Sequence, residues 1–232
     1  MTKSFRLTAQ YVCLTVLSLV PCQGALITFT TRLAFNAAAP GLPTETFESG
    51  LVAPGNVITC AGPVSSATPS TCFPPGTLLP GVTYNSESAL LALLGANFDG
   101  VGNTSKVLGP NFFADTFNLT FTSANAAGFD VFAGPVAGNV AIGVFSPANA
   151  PLGSFMVFAP IGGTFFGVIS DSGPIGRINV ASQAATPGEL IDNLTFGSTV
   201  PEPSSLVLFS AALVIVLRRL TARYRGVDQI GR

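Results

Sequence analysis

The sequence predicts an all-β protein built around one β-sandwich or jelly-roll-like domain. Short segments in which apolar and polar residues alternate recur along the chain, and such alternation is typical of strands with one buried face. Turn-forming residues separate these segments at short, regular intervals. The 232 residues include 25 Gly, 18 Pro and 19 Phe, a composition that suits many short strands joined by turns.

The composition also argues against an enzyme. Charged residues make up only 9% of the chain, whereas ordinary soluble domains carry about 25%. The sequence contains no histidine, which removes the commonest general acid–base group and a frequent metal ligand. The acidic residues of the body are scattered singly, and no G-x-S-x-G motif occurs. We therefore expect a protein without catalytic residues.

Charge is distributed unevenly along the chain. Residues 25–200 hold three basic and nine acidic residues, a net charge of −6, whereas residues 218–232 hold five Arg and one Asp, a net charge of +4. An acidic body is a poor partner for nucleic acid, so we expect no nucleic-acid binding. A basic C-terminal tail fits a segment that stays on the cytoplasmic side of a membrane.

Residues 1–24 have the features of a secretory signal peptide. Two basic residues precede the apolar stretch Tyr11–Val20, and small residues allow cleavage after Gly24. The alternatives are an uncleaved membrane anchor or a core helix, although the apolar stretch is short for a membrane span. Lipid attachment at Cys22 is disfavoured because Pro21 replaces the small residue expected there.

The body, residues 25–198, is long enough for one domain with a single core. One helix is expected at Thr31–Ala38, with Thr30 or Thr31 as N-cap and Pro40 as the stop. Ala89–Leu94 fits either a helix or a strand, and we assign it as a strand. The remaining predicted strands are Asp115–Phe121, Asn139–Phe145, Ser154–Ala159, Thr164–Ser170 and Leu190–Phe196.

Cys60 and Cys72 are the two cysteines that remain after cleavage of the signal peptide. They flank Ala61–Thr71, which is rich in Pro, Ser and Thr. In an exported chain, a pair at this spacing favours a disulfide. The alternative is a metal site, but zinc would lack histidine and a third or fourth cysteine.

The C-terminal region combines a proline-rich motif, an apolar stretch and a basic cluster. Pro201 and Pro203 fix the backbone around Glu202, so that this carboxylate sits on a stiff, extended segment. Leu206–Leu217 follows as an apolar run that is short for a bilayer span. An arginine cluster that begins with Arg218 and Arg219 would stop transfer across the membrane.

These features together resemble the PEP-CTERM sorting signal, here over residues 199–225, with residues 226–232 as a basic tail. The resemblance implies recognition of Pro201, Glu202 and Pro203 by an exosortase, a membrane-embedded cysteine transpeptidase, and a stop-transfer role for Arg218 and Arg219. It also implies export to the cell surface or matrix of a Gram-negative-type bacterium, with a C-terminal transmembrane helix. The alternative is a simple single-pass anchor after a proline-rich linker.

The body is similar to the ectodomains that precede this sorting signal in such bacteria. The similarity lies in ITFTTRLAFNAAAPGLPTETFESG, in VLGPNFFADTFNLTF and in the segment from Phe165 to Gly197. It implies a β-sandwich of unassigned biochemical role, and it names no active site. The sorting signal together with the acidic, Thr-, Ser- and Asn-rich body predicts a surface or matrix protein associated with exopolysaccharide or biofilm. The alternative is a lectin-like sugar-binding module. With no tryptophan and one body tyrosine, Tyr84, such a module would depend on exposed phenylalanines to stack against sugars.

One carboxylate suggests a calcium site. Asp192 shares strand parity with Leu194 and Phe196, so alternation places it on the core face, where a charge needs a partner. Oxygen ligands suit Ca²⁺, and Glu48 is a candidate second ligand. The alternative is that Asp192 hydrogen-bonds to backbone or solvent at a strand end. Asp99–Asn103 has too few oxygen side chains for an EF-type loop and is expected to form a turn.

Overall fold

The structure is a computed structural model that describes residues 25–112, 114–183 and 188–199. Over these residues the chain forms fourteen strands and one helix. The strands are β1 (Leu26–Phe29), β2 (Thr44–Glu45), β3 (Val57–Ala61), β4 (Val64–Ser65), β5 (Val82–Ser86), β6 (Leu90–Leu94), β7 (Val107–Pro110), β8 (Phe117–Phe121), β9 (Ala126–Phe132), β10 (Gly138–Phe145), β11 (Pro151–Ala159), β12 (Thr164–Ser170), β13 (Arg177–Ser182) and β14 (Leu190–Gly197).

The all-β prediction is confirmed, because the strands form two antiparallel sheets. The eight-stranded sheet has the order β1-β12-β9-β14-β7-β6-β3, and β2 pairs with the second half of β14. The six-stranded sheet has the order β11-β10-β13-β8-β5-β4. Apolar residues of both sheets form one continuous core between them, as expected for a β-sandwich.

Alternation along the strands determines which residues enter this core. On β8, Phe117, Leu119 and Phe121 are buried, while Asn118 and Thr120 point outward. Aromatic rings fill the centre. Tyr84 is fully buried, with its ring 5.5 Å from that of Phe47 and 6.3 Å from that of Phe117. Tyr84 is therefore inaccessible to a sugar.

The helix α1 (Arg32–Ala38) covers part of the outer face of the eight-stranded sheet. Thr31 caps it, since its hydroxyl accepts a hydrogen bond from the Ala34 N–H at 3.3 Å. Phe35 packs over Gly128 and Gly167, and a Cβ at either glycine would come within about 3 Å of its ring. Glycine at these two positions lets α1 lie directly on the sheet. The predicted helix at Thr31–Ala38 is thus confirmed, with Thr31 as its N-cap.

Cys60 and Cys72 form the predicted disulfide, with their Cα atoms 5.6 Å apart. Both residues are buried in the main core. The bond ties β3 to the loop that precedes β5, so the Pro/Ser/Thr-rich segment is closed at both ends.

The predicted strands are all present, with shifts at their ends. Thr164–Ser170 is found as predicted, and β6 confirms the strand assignment of the ambiguous leucine-rich segment. The strand predicted at Asp115 begins at Phe117, and the one predicted at Ser154 already begins at Pro151. The signal peptide, the sorting motif with its arginine cluster and the basic tail lie outside the described residues. Within the part of the chain that is described, no helix has the length and apolarity to cross a bilayer.

Candidate functional site: a polar pocket on the eight-stranded sheet

A pocket of about 200 Å³ lies on the outer face of the eight-stranded sheet. Three parts of the chain enclose it: the central strands β9, β12 and β14, the Gly-Gly turn between β11 and β12, and the loop between β6 and β7. Its lining is mainly polar with two aromatic walls, comprising Gly102, Thr104, Ser105, Asp130, Phe132, Gly162, Gly163, Thr164, Phe165, Asp192 and Asn193.

A β-bulge in β14 turns Asp192 towards this pocket. Asn193 adopts a left-handed conformation (φ 49°), and the register with β9 shifts between Asp192 and Thr195. Ile191 and Leu194 therefore both face the core, although they are three residues apart. The prediction that Asp192 faces the core on the same side as Leu194 is wrong, because the bulge reverses the alternation between these two residues.

Asp192 is nevertheless buried, with only 1% of its surface exposed, so its carboxylate still needs hydrogen-bond partners. Its Oδ1 accepts the Asn193 backbone N–H at 2.6 Å, and its Oδ2 accepts the Ser105 hydroxyl and the Asn193 amide. The pKa of Asp192 is raised to about 6 from its ordinary 3.8, mainly by burial and to a smaller extent by the carboxylates of Asp130 and Glu48, whereas the hydrogen bonds from Ser105 and Asn193 lower it. The carboxyl thus titrates near neutral pH.

Asp130 faces Asp192 across the β9–β14 ladder, as its Cα partner. The Asn193 side-chain amide bridges the two carboxylates, donating to Oδ2 of Asp130 at 2.9 Å and to Oδ2 of Asp192 at 3.0 Å. Two acidic groups that are far apart in sequence are therefore held side by side, and a neutral amide separates their charges.

Arg32 closes one side of the site from the first turn of α1. Its Nη2 lies 3.0 Å from Oδ1 of Asp130, and its Nη1 donates to the Thr195 hydroxyl at 3.1 Å. The guanidinium also lies over the Phe165 ring, 4.7 Å from its centroid. Arg32 compensates one of the two carboxylate charges, and the pocket retains an excess of negative charge.

The loop between β6 and β7 forms the opposite wall and is held by the buried side chain of Asn103. Its amide donates to the carbonyls of Gly95 and Ser105 at 2.8 and 2.7 Å, and its Oδ1 accepts the Phe98 N–H. Gly102 (φ +75°) touches the Gly-Gly turn so closely that a Cβ there would lie 2.8 Å from the Gly162 nitrogen. The Asp99–Asn103 segment is thus a structural turn, as predicted.

Glu48, the other predicted calcium ligand, lies beside the pocket and is half exposed. Its Oε1 accepts the Lys106 backbone N–H at 2.8 Å, and its Oε2 lies 3.7 Å from the Lys106 ammonium. The structure thus joins Glu48 to a lysine and Asp192 to Ser105 and Asn193. Over the three described ranges, no group of three or more Cys, Asp or Glu side chains is close enough to hold a metal ion.

The pocket offers hydrogen-bond acceptors next to an aromatic surface. Each carboxylate oxygen can accept more than one hydrogen bond, so Asp130, whose side chain is 29% exposed, can still accept from a ligand hydroxyl. Hydroxyl groups of Thr104 and Thr164 and the side chains of Phe132 and Phe165 complete the lining. Such a lining suits a small polyhydroxylated group rather than an anion.

Sequence reasoning identified Asp192 but missed Asp130, Asn193 and Arg32. Asp130 carried no motif, and its partners lie far away in sequence. Asn193 did carry a signal, because an Asn inside an otherwise apolar strand favours a left-handed residue and hence a bulge.

Comparison with known proteins finds only low similarity to solved structures. No protein-family model matches the chain, and no curated protein matches its sequence. Among solved structures, two variants of the family 29 carbohydrate-binding module CBM29-2 align at a TM-score of 0.33 and 16% identity, over 62% and 61% of this chain and 94% and 93% of theirs. A tailspike protein of bacteriophage CBA120 aligns at a TM-score of 0.25 and 16% identity, over 76% of this chain and 19% of the tailspike. Similarity at this level does not carry a function to the chain.

Proposed function

We propose that this protein is an exported, non-catalytic cell-surface or matrix protein whose β-sandwich binds a neutral sugar unit of a polysaccharide in the pocket. The observation that carries the proposal is the convergence of Asp130, Asp192 and Asn193 beside the Phe165 ring in a cavity of about 200 Å³. Carboxylate oxygens accept hydrogen bonds from sugar hydroxyls, and an aromatic ring packs against the apolar face of a sugar. The excess negative charge favours a neutral sugar over an acidic one.

Binding fits this arrangement better than glycoside hydrolysis. A glycosidase needs one carboxyl group that delivers a proton and another that attacks or activates water. Here the Arg32 guanidinium and the Asn193 amide hold Asp130, while Ser105 and Asn193 hold both oxygens of Asp192. These contacts fix the carboxylates as a rigid set of acceptors.

A glycan array probed with the purified protein tests this function, with the Asp130→Asn variant as comparison. The substitution preserves shape but removes the acceptor charge and the Arg32 ion pair, so binding to the neutral glycans that the wild type selects should weaken about tenfold or more. Asp171→Asn is the matched control, because it removes the same charge from an exposed loop residue. Equal loss of binding in both variants, or no loss in Asp130→Asn, would refute the pocket as the site.

The sorting part of the proposal rests on the C-terminal sequence. The Pro201–Pro203 motif, the apolar run and the arginine cluster support recognition by an exosortase-type enzyme, delivery to an exopolysaccharide-rich surface and a membrane helix before processing. Intact-mass analysis of the protein from its native host tests all of these steps. It should show loss of residues 1–24 and a cut near Pro203. An uncut C-terminus in the surface fraction would favour a simple membrane anchor.

The jelly-roll-like arrangement and the calcium site at Glu48 and Asp192 also remain predictions. Calcium would act as a structural ion in the lectin-like alternative, bridging the two carboxylates beside the pocket.

A further inference from the structure

The outer face of the six-stranded sheet is nearly uncharged and polar over β5, β8 and β13, and it carries two exposed apolar side chains, Met156 and Phe158, on its edge strand β11. Ile178 and Val180 of β13 enter the core, so the alternate residues of this strand, Arg177 and Asn179, point outward. The same alternation exposes Asn118 and Thr120 on β8 and Gly143 and Phe145 on β10. The one helix of the described residues packs on the other sheet, so it leaves this face open.

Two rows of paired residues cross this face from strand to strand. The first row runs Asn85, Asn118, Asn179, Gly143 and Ser154, and the second runs Thr83, Thr120, Arg177, Phe145 and Pro151. Each row spans five strands, or about 19 Å at the usual spacing between strands. A ligand that follows these rows must be an extended chain rich in hydrogen-bonding groups.

Arg177 lies in the middle of the second row and is held in place without a carboxylate. Its Nη1 donates to Oδ1 of Asn118 at 2.7 Å, and its Nε and Nη2 donate to Oδ1 of Asn149 at 3.2 and 2.8 Å. The guanidinium also lies over the Phe145 ring, 4.0 Å from its centroid. These contacts use three of the five N–H groups of an arginine, so the fork is fixed in position while N–H donors remain for a ligand.

The charge of Arg177 is the feature that distinguishes this face. Residues 25–199 contain three cationic side chains. Within the described ranges, Arg32 forms an ion pair with Asp130, and Lys106 forms one with Glu48. Within those ranges Arg177 has no carboxylate partner, although the domain carries nine acidic residues. The net charge of −6 on the body disfavours a polyanion in general, but neither row on this face contains an acidic residue. An uncompensated guanidinium on such a face is complementary to a carboxylate supplied from outside.

We infer that the outer face of the six-stranded sheet binds an extended acidic polysaccharide, with Arg177 pairing with a uronate carboxylate and the Asn and Thr rows with the hydroxyls of neighbouring sugar units. This inference deepens the proposed function, and it rests on that proposal only in taking a polysaccharide as the ligand. The pocket, with its excess of carboxylates, selects a neutral sugar on the opposite side of the sandwich. The domain therefore joins an acidic chain to a neutral one.

The test uses polygalacturonate and its fully methyl-esterified form, which share a backbone and differ in the carboxylate. Calorimetry with the purified wild-type protein should show binding to polygalacturonate that is at least about tenfold tighter than to the ester, as expected when a charge-assisted pair is lost. Binding should also weaken when the salt concentration is raised from about 50 to about 500 mM, because added salt screens an exposed ion pair. Equal affinity for both polymers, or binding to neither, overturns the inference without any variant.

Variants then assign the binding to Arg177. Arg177→Gln should lose the preference for polygalacturonate, and Arg177→Lys should keep part of it because the charge remains. Lys106→Gln removes the same charge elsewhere and should bind like the wild type. Asp130→Asn, which impairs the pocket, should also leave polygalacturonate binding unchanged, so failure of the pocket and failure of this face give different results. Retention of the preference in Arg177→Gln would exclude this face.

Discussion

Replacement of Glu189 by glutamine should remove much of the loss of stability that we expect this protein to show as pH rises. Glu189 is fully buried at the start of β14, where its Oε2 accepts the Ser182 N–H at 3.1 Å. Its Oε1 has no hydrogen-bond partner among the described residues. Burial raises the pKa of Glu189 to about 7 from its ordinary 4.5, and the negative charges of Asp115 and Glu87 add to this effect.

The sign follows from which state holds the proton. Below pH 4.5 the carboxyl is protonated in both states, so it does not affect folding. Between pH 4.5 and about 7 the unfolded chain loses the proton and the folded protein keeps it, so stability falls as pH rises. Once pH exceeds both values, ionisation of Glu189 costs about 3 kcal/mol of folding free energy.

Urea unfolding at about pH 5 and pH 8, conditions that span the titration, measures this effect. Glu189→Gln should gain up to about 3 kcal/mol over the wild type at the higher pH and little at the lower one, because glutamine keeps the acceptor for Ser182 and cannot ionise. Asp192, with its own raised pKa, should leave a smaller residual slope in the variant. Asp171→Asn, at an exposed loop position, is the control. A wild-type stability that is level between the two pH values would refute the reasoning.

Three further predictions concern the core, the disulfide and the metal. Tyr84→Phe should stabilise the protein by about 1 kcal/mol in urea unfolding, because the buried Tyr84 hydroxyl has no hydrogen-bond partner among the described residues; a loss would reveal a hidden partner. Serine at both Cys60 and Cys72 should lower the free energy of unfolding by about 3 kcal/mol, the value for so short a loop in the chain-entropy model, and an unchanged midpoint would contradict it. EDTA should leave the melting temperature unchanged, since Lys106 pairs with Glu48 and both oxygens of Asp192 already accept hydrogen bonds; a fall would support a structural calcium ion.

The parts of the fold that depend on local pattern could be predicted from the sequence. The strand β10 lies where period-two alternation placed it, and Thr164–Ser170 lies where a segment rich in Phe and Val between turn residues predicted a strand. The disulfide followed from the number and spacing of cysteines in a chain that is predicted to carry a signal peptide. These features need information only from neighbouring residues, which the sequence displays directly.

The candidate site could not be predicted in the same way, because it depends on one irregular residue and on distant contacts. The bulge at Asn193 reverses the face of Asp192, and simple alternation cannot show this. Asp130 and Arg32 reach the pocket from a central strand and from the helix, through register that only the folded sheet defines. Nothing in the sequence near Arg177 distinguishes it from a solvated surface charge. Only the folded structure shows that Arg32 and Lys106 pair with carboxylates, whereas Arg177 pairs with none among the described residues.

Thr199, the last described residue, lies at the end of the sandwich opposite the pocket. Thr199 is fastened to Asn125, whose N–H also donates to the Gly197 carbonyl, and both lie where β9 begins. Asp130 is five residues beyond Asn125 along the chain, beside the start of β12 at Thr164, and so about 17 Å away at the usual rise per residue of a strand. A tether that continues from Thr199 to a cell surface would therefore place the pocket at the end of the domain farther from that surface. Polymers in the surrounding medium could then reach the pocket directly.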